Sequence, residues 1–183
     1  VATGSVSGGG YYTGGLVGWA DNSSTISNSY ATGKVTGNYS TGGLVGLAWS
    51  NTTITNSYAT GSVTGTGERI GGLVGHAGGS IANSYTTGKV TGKDSTGGLV
   101  GYVQSSSEIT NSYATGAVTG TGDNTGGLAG LAYGSITHSY ATGRVTGTGD
   151  YTGGLVGRVY HSSTIITNSY WDKDTTGQST SAG

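Results

Sequence analysis

A five-residue block, Gly-Gly-Leu-Val-Gly, returns through the chain at near-constant intervals, and this return limits the fold more than any other feature of the sequence. Its leucine falls at Leu16, Leu44, Leu73, Leu99, Leu128 and Leu155, in steps of 26 to 29 residues, with Ala129 replacing Val in the fifth copy. A second block, Ile-x-Asn-Ser-Tyr, ends at Tyr30, Tyr58, Tyr85, Tyr113, Tyr140 and Tyr170. A third, Thr-Gly-x-Val-Thr-Gly, places Val35, Val63, Val90, Val118 and Val145, with Val6 in a related opening copy. Six units of about 28 residues thus fill nearly the whole chain. Composition alone would allow a flexible linker: of 183 residues 40 are Gly, and only 32% are apolar and 8% charged. Disordered segments, however, are poor in β-branched and aromatic residues, whereas this chain carries 13 Tyr and 3 Trp. Blocks recurring in fixed order exclude a linker.

Each block is short, rich in Val, Thr, Ile or Tyr, and bounded by Gly or by Ser and Asn, which is how strands are punctuated. No block has helical apolar spacing, and Gly at this density makes a helix costly. Three short strands per unit, none able to bury its apolar side alone, predict one coil of a solenoid. The expected fold class is all-β: a right-handed parallel β-solenoid of six coils, three strands each, stacked about 4.8 Å apart. A single domain is expected over residues 1–178, with residues 179–183 as a short polar tail. A propeller blade needs four strands in about 40–50 residues, more than this unit holds.

Strand alternation assigns faces. In the third block Ala31, Gly33 and Val35 share one parity and Thr32, Lys34 and Thr36 the other. The Lys34 column continues as Ser62, Lys89, Ala117 and Arg144; its charges require water, so Ala, Gly and Val point inward. In the second block Ile26, Asn28 and Tyr30 share a parity, which sets Asn and Tyr inward or at a corner beside Ile. Asn28, Asn56, Asn83, Asn111 and Asn168 would then form an amide ladder that satisfies buried polar groups, His138 standing in for the fifth copy. The Tyr column would supply the bulk that Phe and Met otherwise provide. In the first block, two readings of the outer parity stand. One flank exposes an interaction face of Val17, Trp19, Val45, Leu47, Val74, Tyr102 and Leu131, or a bend at the Gly pair turns the Val column inward.

Net charge of −1 gives no electrostatic footprint for nucleic acid. No apolar run approaches the roughly 20 residues of a membrane span. The absence of Cys removes disulfides and thiolate chemistry. His76, His138 and His161 fall in different blocks, and no hydrolase, zinc-protease or phosphate-loop spacing occurs. Catalysis and a resident cofactor are therefore not expected. One acidic column, Glu68, Asp94, Asp123 and Asp150, puts carboxylates at the same corner of four consecutive units. Either Ca²⁺ relieves their repulsion or each carboxylate hydrogen-bonds turn backbone. Two outward columns, Thr32, Thr60, Thr87, Thr115, Thr142 and Thr36, Thr64, Thr91, Thr119, Thr146, resemble the arrays of ice-binding β-solenoids, though Lys34, Lys89 and Arg144 interrupt the flat surface between them.

The recurring Gly-Gly-Leu-Val-Gly with Asn-Ser-Tyr-Ala-Thr-Gly and Val-Thr-Gly resembles the GLUG-motif repeat of bacterial and archaeal surface and secreted proteins, over about residues 1–178. The resemblance implies an extracellular or cell-surface region, often adhesin-like, with no catalytic residues to transfer and with host-surface or glycan ligands as partners. Residues 1–8 are a third block without its preceding blocks, and Trp171-Asp172-Lys173-Asp174 replaces the last expected Ala-Thr-Gly. With neither end carrying an evident cap, two expectations follow: excision from a longer array, or head-to-tail stacking of subunits into a filament.

Overall fold

In the computed structural model, which describes residues 1–182, thirty strands of two to four residues stack coil on coil into five parallel sheets of six strands each. Sheet I holds Val6–Ser7, Val35–Gly37, Val63–Gly65, Val90–Gly92, Val118–Gly120 and Val145–Gly147. Sheet II holds Tyr12–Gly14, Ser40–Gly42, Glu68–Gly71, Asp94–Gly97, Thr125–Gly126 and Thr152–Gly153. Sheet III holds Val17–Ala20, Val45–Ala48, Val74–Ala77, Val100–Val103, Ala129–Ala132 and Val156–Val159. Sheet IV runs from Thr25–Ser27 to Ile166–Thr167, and sheet V from Tyr30–Ala31 to Tyr170–Trp171. Equivalent residues pair in register from coil to coil, as Val35 with Val63 and Ile54 with Ile81.

The coil therefore has five strands, where block counting predicts three. Two blocks are each broken by a corner. The Gly pair turns the chain between sheets II and III, and Gly98 shows why no side chain fits there. A Cβ on Gly98 would fall on the carbonyl oxygen of Gly127 in the next coil and 2.9 Å from Ala114 Cβ. The second corner is the Asn of Ile-x-Asn-Ser-Tyr. Asn28, Asn56, Asn83, Asn111 and Asn168 all adopt left-handed backbone, with φ between 48° and 50°, a region Asn tolerates better than most residues.

That corner resets the alternation and corrects the assignment of faces. The Ile column is fully buried from Ile54 to Ile136, but the Asn side chains are exposed, and the intervening Ser57, Ser84, Ser112 and Ser139 are the buried residues. A serine ladder thus replaces the expected amide ladder. Each backbone N–H donates to the next coil's Ser Oγ, at 3.2 Å from Ser57 to Ser84 and from Ser84 to Ser112. Each hydroxyl donates back to a carbonyl two residues earlier, as Ser84 does to Ala82 at 2.8 Å. The tyrosines lie outside, not in the core. Tyr30, Tyr58, Tyr85, Tyr113 and Tyr140 stack with ring centroids 4.9 Å apart and planes within 9°.

Sheets III, IV and V enclose the main core, where each inner coil contributes residues equivalent to Leu44, Val45, Ala48, Ile54 and Ala59. Burying each Leu, Val or Ile there is worth about 1.5–3 kcal/mol. Val45, Val74 and Val100 are fully buried, so the corner turns the Val column inward and removes it from the flank. A second, smaller core lies between sheets I and II, built from Val35, Val63, Val90 and Ile70. Buried Thr41, Thr96 and Thr125 stand in register with Ile70.

The C-terminal end carries a cap that the sequence reading lacks. Trp171 occupies the inward column of Ala141 and donates from Nε1 to the Gln178 carbonyl at 2.9 Å. A short helix, Lys173–Thr176, follows, its N-cap Asp172 accepting from the Asp174 and Thr175 N–H groups. Those bonds lower the Asp172 pKa. Thr180 and Ser181, expected in a separate tail, dock on the sixth coil: Gly154 N–H donates to the Thr180 carbonyl at 2.9 Å, and Val156 N–H to Ser181 Oγ at 2.9 Å. They supply acceptors that a seventh coil would otherwise provide. No helix among the described residues is long and apolar enough to cross a membrane.

Candidate functional site

The flank between sheets II and III is concave. A floor and two walls form it. The floor is Trp19, Leu47, His76, Tyr102, Leu131 and Arg158, paired in register through sheet III. One wall is sheet II, where Tyr12 and Arg69 stand, and the other is the turn after sheet III, with Trp49, Gln104, Ser105 and Tyr133. Together these enclose a groove of about 610 Å³, within the range of ligand sites. Of the predicted interaction face, Trp19, Leu47 and Tyr102 meet here and Leu131 continues their column beside Tyr102, whereas Val45 and Val74 lie in the core and Val17 packs against it.

His76 sits at the groove's centre, only 5% exposed. Trp49 and Tyr102 meet its ring edge to face, with centroids 5.3 Å and 4.7 Å away. Arg69 Nη1 lies 3.2 Å from His76 Nδ1. A guanidinium can only donate, so Nδ1 accepts and the proton resides on Nε2. Burial, reinforced by the Arg69 charge, lowers the His76 pKa from 6.5 to about 4; the Gln104 carbonyl pulls the other way without completing a bond. Nε2 and Gln104 Oε1 are both buried and both without a hydrogen-bond partner. Such orphaned groups are costly and call for an explanation.

Arg69 is itself held with care. Its guanidinium lies 5.3 Å from the Tyr39 ring centroid and 4.9 Å from that of Tyr102, in cation–π range. Its backbone is left-handed, with φ 62°, a conformation an arginine adopts at a cost. Burial raises the Tyr102 pKa, the chief cause, and keeps that phenol neutral. Further along, Tyr102, Tyr133 and Tyr160 continue as an aromatic row, with centroid separations of 5.5 Å and 4.7 Å. Alternation within the Leu-Val-Gly block finds the floor. The walls, Trp49, Arg69, Gln104 and Tyr133, lie just outside the repeated blocks and escape it, although Trp49, Tyr133 and Tyr160 each follow the Ala or Val that closes the strand, a partial aromatic column in the sequence.

The acidic corner is occupied by its own chemistry. Asp94 Oδ1 accepts the Asp123 N–H at 3.0 Å, and Asp123 Oδ1 the Asp150 N–H at 2.9 Å. The Tyr39 hydroxyl donates to Glu68 Oε2 at 2.9 Å. Among the described residues no three His, Cys, Asp or Glu are grouped to hold a metal ion. Thr36, Thr64, Thr91, Thr119 and Thr146 pair in register along sheet I, with Lys34, Lys89 and Arg144 exposed beside them.

In-register coils, a continuous core and a grooved flank define a repeat protein of the parallel β-solenoid class. The family model of the GLUG motif matches residues 9–36, 37–64, 66–91, 94–119 and 121–146, and the chain belongs to that family. No curated protein and no solved structure matches it.

Proposed function

We propose that this chain is an extracellular structural and adhesive module that binds through its flank and carries out no catalysis. The observation that carries the reading is the aromatic groove: Trp19 and Trp49 are 58% and 39% exposed beside a buried imidazole whose Nε2 has no hydrogen-bond partner. Large exposed aromatics rimmed by polar groups mark contact sites. End-to-end stacking on the sixth coil would require displacing Thr180 and Ser181, which favours the flank over that end. The expected result is accessibility of the protein to antibody or protease on intact source cells, with retention on target cell layers that weakens when Trp19 and Trp49 are replaced by Ala. Recovery of the protein only from the cell interior would refute the reading. The Thr columns give a second, ice-binding reading one observation in its favour, their strict register. Thermal hysteresis in the purified chain tests it, and the exposed Lys34, Lys89 and Arg144 predict none.

A further inference from the structure

We infer that the groove between sheets II and III binds a carbohydrate chain, one hydroxyl of which bridges His76 Nε2–H and Gln104 Oε1. The inference rests on the adhesive reading and names its ligand class. One group is left as a donor, since Arg69 fixes the proton on Nε2, and the other as an acceptor, and neither has a partner. A hydroxyl is the small neutral group that accepts from one and donates to the other at once. A carboxylate would meet the Gln104 oxygen lone pairs, and an ammonium the Nε2–H; each satisfies one group and opposes the other.

The surroundings suit the rest of a sugar. Pyranose rings present apolar C–H faces and polar edges, and the groove offers flat aromatic rings of Trp49, Tyr102 and Tyr133 beside polar side chains. Tyr102, Tyr133 and Tyr160 follow one another in three successive coils, so they present a platform at each step of about 4.8 Å along that part of the rod, which a linear polymer uses and a single small molecule does not. Gly78 stands in the wall between Trp49 and Gln104, and a Cβ there would come 3.2 Å from Gln104 Oε1. The Gln104 carbonyl therefore packs against the Gly78 backbone, where a side chain would press on it.

The chain carries its own reporter, because two of its three Trp line the groove. Titration of the whole protein with cellohexaose, chitohexaose, mannohexaose and a galacturonate hexamer, followed by tryptophan fluorescence and calorimetry, is expected to show saturable binding to at least one. Trp49→Ala, at an exposed position, is expected to weaken that binding about tenfold, and Gln104→Leu to weaken it while leaving the stacking contacts. Tyr113→Ala, in the sheet V ladder, is expected to leave it unchanged. Folded protein that binds none of the four at millimolar concentration overturns the proposal, as does binding indifferent to both groove variants. Retention on cells that survives enzymatic removal of glycans also overturns it while adhesion stands. Oligosaccharide binding by a protein found only inside cells would instead keep this inference and sink the adhesive reading.

Discussion

Replacing Gly98 by Ala adds one methyl group at the Gly pair of the fourth coil. The new Cβ would strike the Gly127 carbonyl oxygen, which is backbone and has no rotamer to yield. Carbon and carbonyl oxygen rest no closer than about 3.3 Å, so the coils must part by a distance on the order of 1 Å there. Two bonds lie at that seam, Gly98 N–H to the Gly126 carbonyl at 3.3 Å and Leu99 N–H to the Leu128 carbonyl at 2.8 Å. Each buried group left unpaired costs about 1–3 kcal/mol. Against this, Ala restricts the unfolded chain and returns about 0.4–1 kcal/mol. The net loss expected is about 3 kcal/mol, a fall in melting temperature of about 10 °C for a chain of this size. Gly9→Ala is the control, since its Cβ meets nothing within 4 Å. Thermal melts and urea titrations followed by circular dichroism compare the two. A loss at Gly98 no greater than at Gly9 would show that the Gly pair is not held by coil-to-coil contact.

Asn111→Ala, at φ 48°, is expected to lose about 1 kcal/mol and Asn111→Gly to lose less; equal urea midpoints for the two would contradict the left-handed corner. Ser112→Ala removes the acceptor of the buried Ser84 N–H, 3.2 Å away, and is expected to cost about 1–3 kcal/mol, visible as faster amide exchange at Ser84. For His76, with a folded pKa of about 4 against 6.5, the unfolded chain takes up the proton first. Its contribution to stability is intact above pH 6.5 and is lost as pH falls toward 4, by about 3 kcal/mol at most. His76→Phe is expected to flatten the urea midpoint over that window, and an unchanged profile would reject the neutral imidazole.

The stacked architecture was legible because a repeat fixes what pairs with what: Val35 must meet Val63 if the coils are equivalent. The strand count was not, since both breaks sit inside blocks that read as continuous. A left-handed Asn leaves no trace in an apolar pattern, and alternation carried across it assigns Asn111 to the interior and Ser112 to the surface, the reverse of their positions. The groove was half legible. Its floor follows strand parity, but Arg69, Trp49 and Gln104 reach it from turns whose sequences vary between coils, and only the folded backbone brings three non-repeating positions to one place. The cap was hidden for the same reason, as Ser181 works through a hydroxyl and Thr180 through a carbonyl that any residue possesses.

All five sheets hydrogen-bond along the rod axis, coil to coil, and this has a mechanical consequence. A pull between the two ends of the chain loads those bonds along their length, a few at a time, at whichever terminal coil yields first. Each coil released gives up about 4.8 Å of rod and frees roughly 95 Å of extended chain. Single-molecule stretching should accordingly record a series of small, evenly spaced ruptures, and one abrupt loss of the whole structure would contradict it. A tether built this way lengthens under load by shedding coils in turn, while the remaining coils keep their cores and whatever their flank holds.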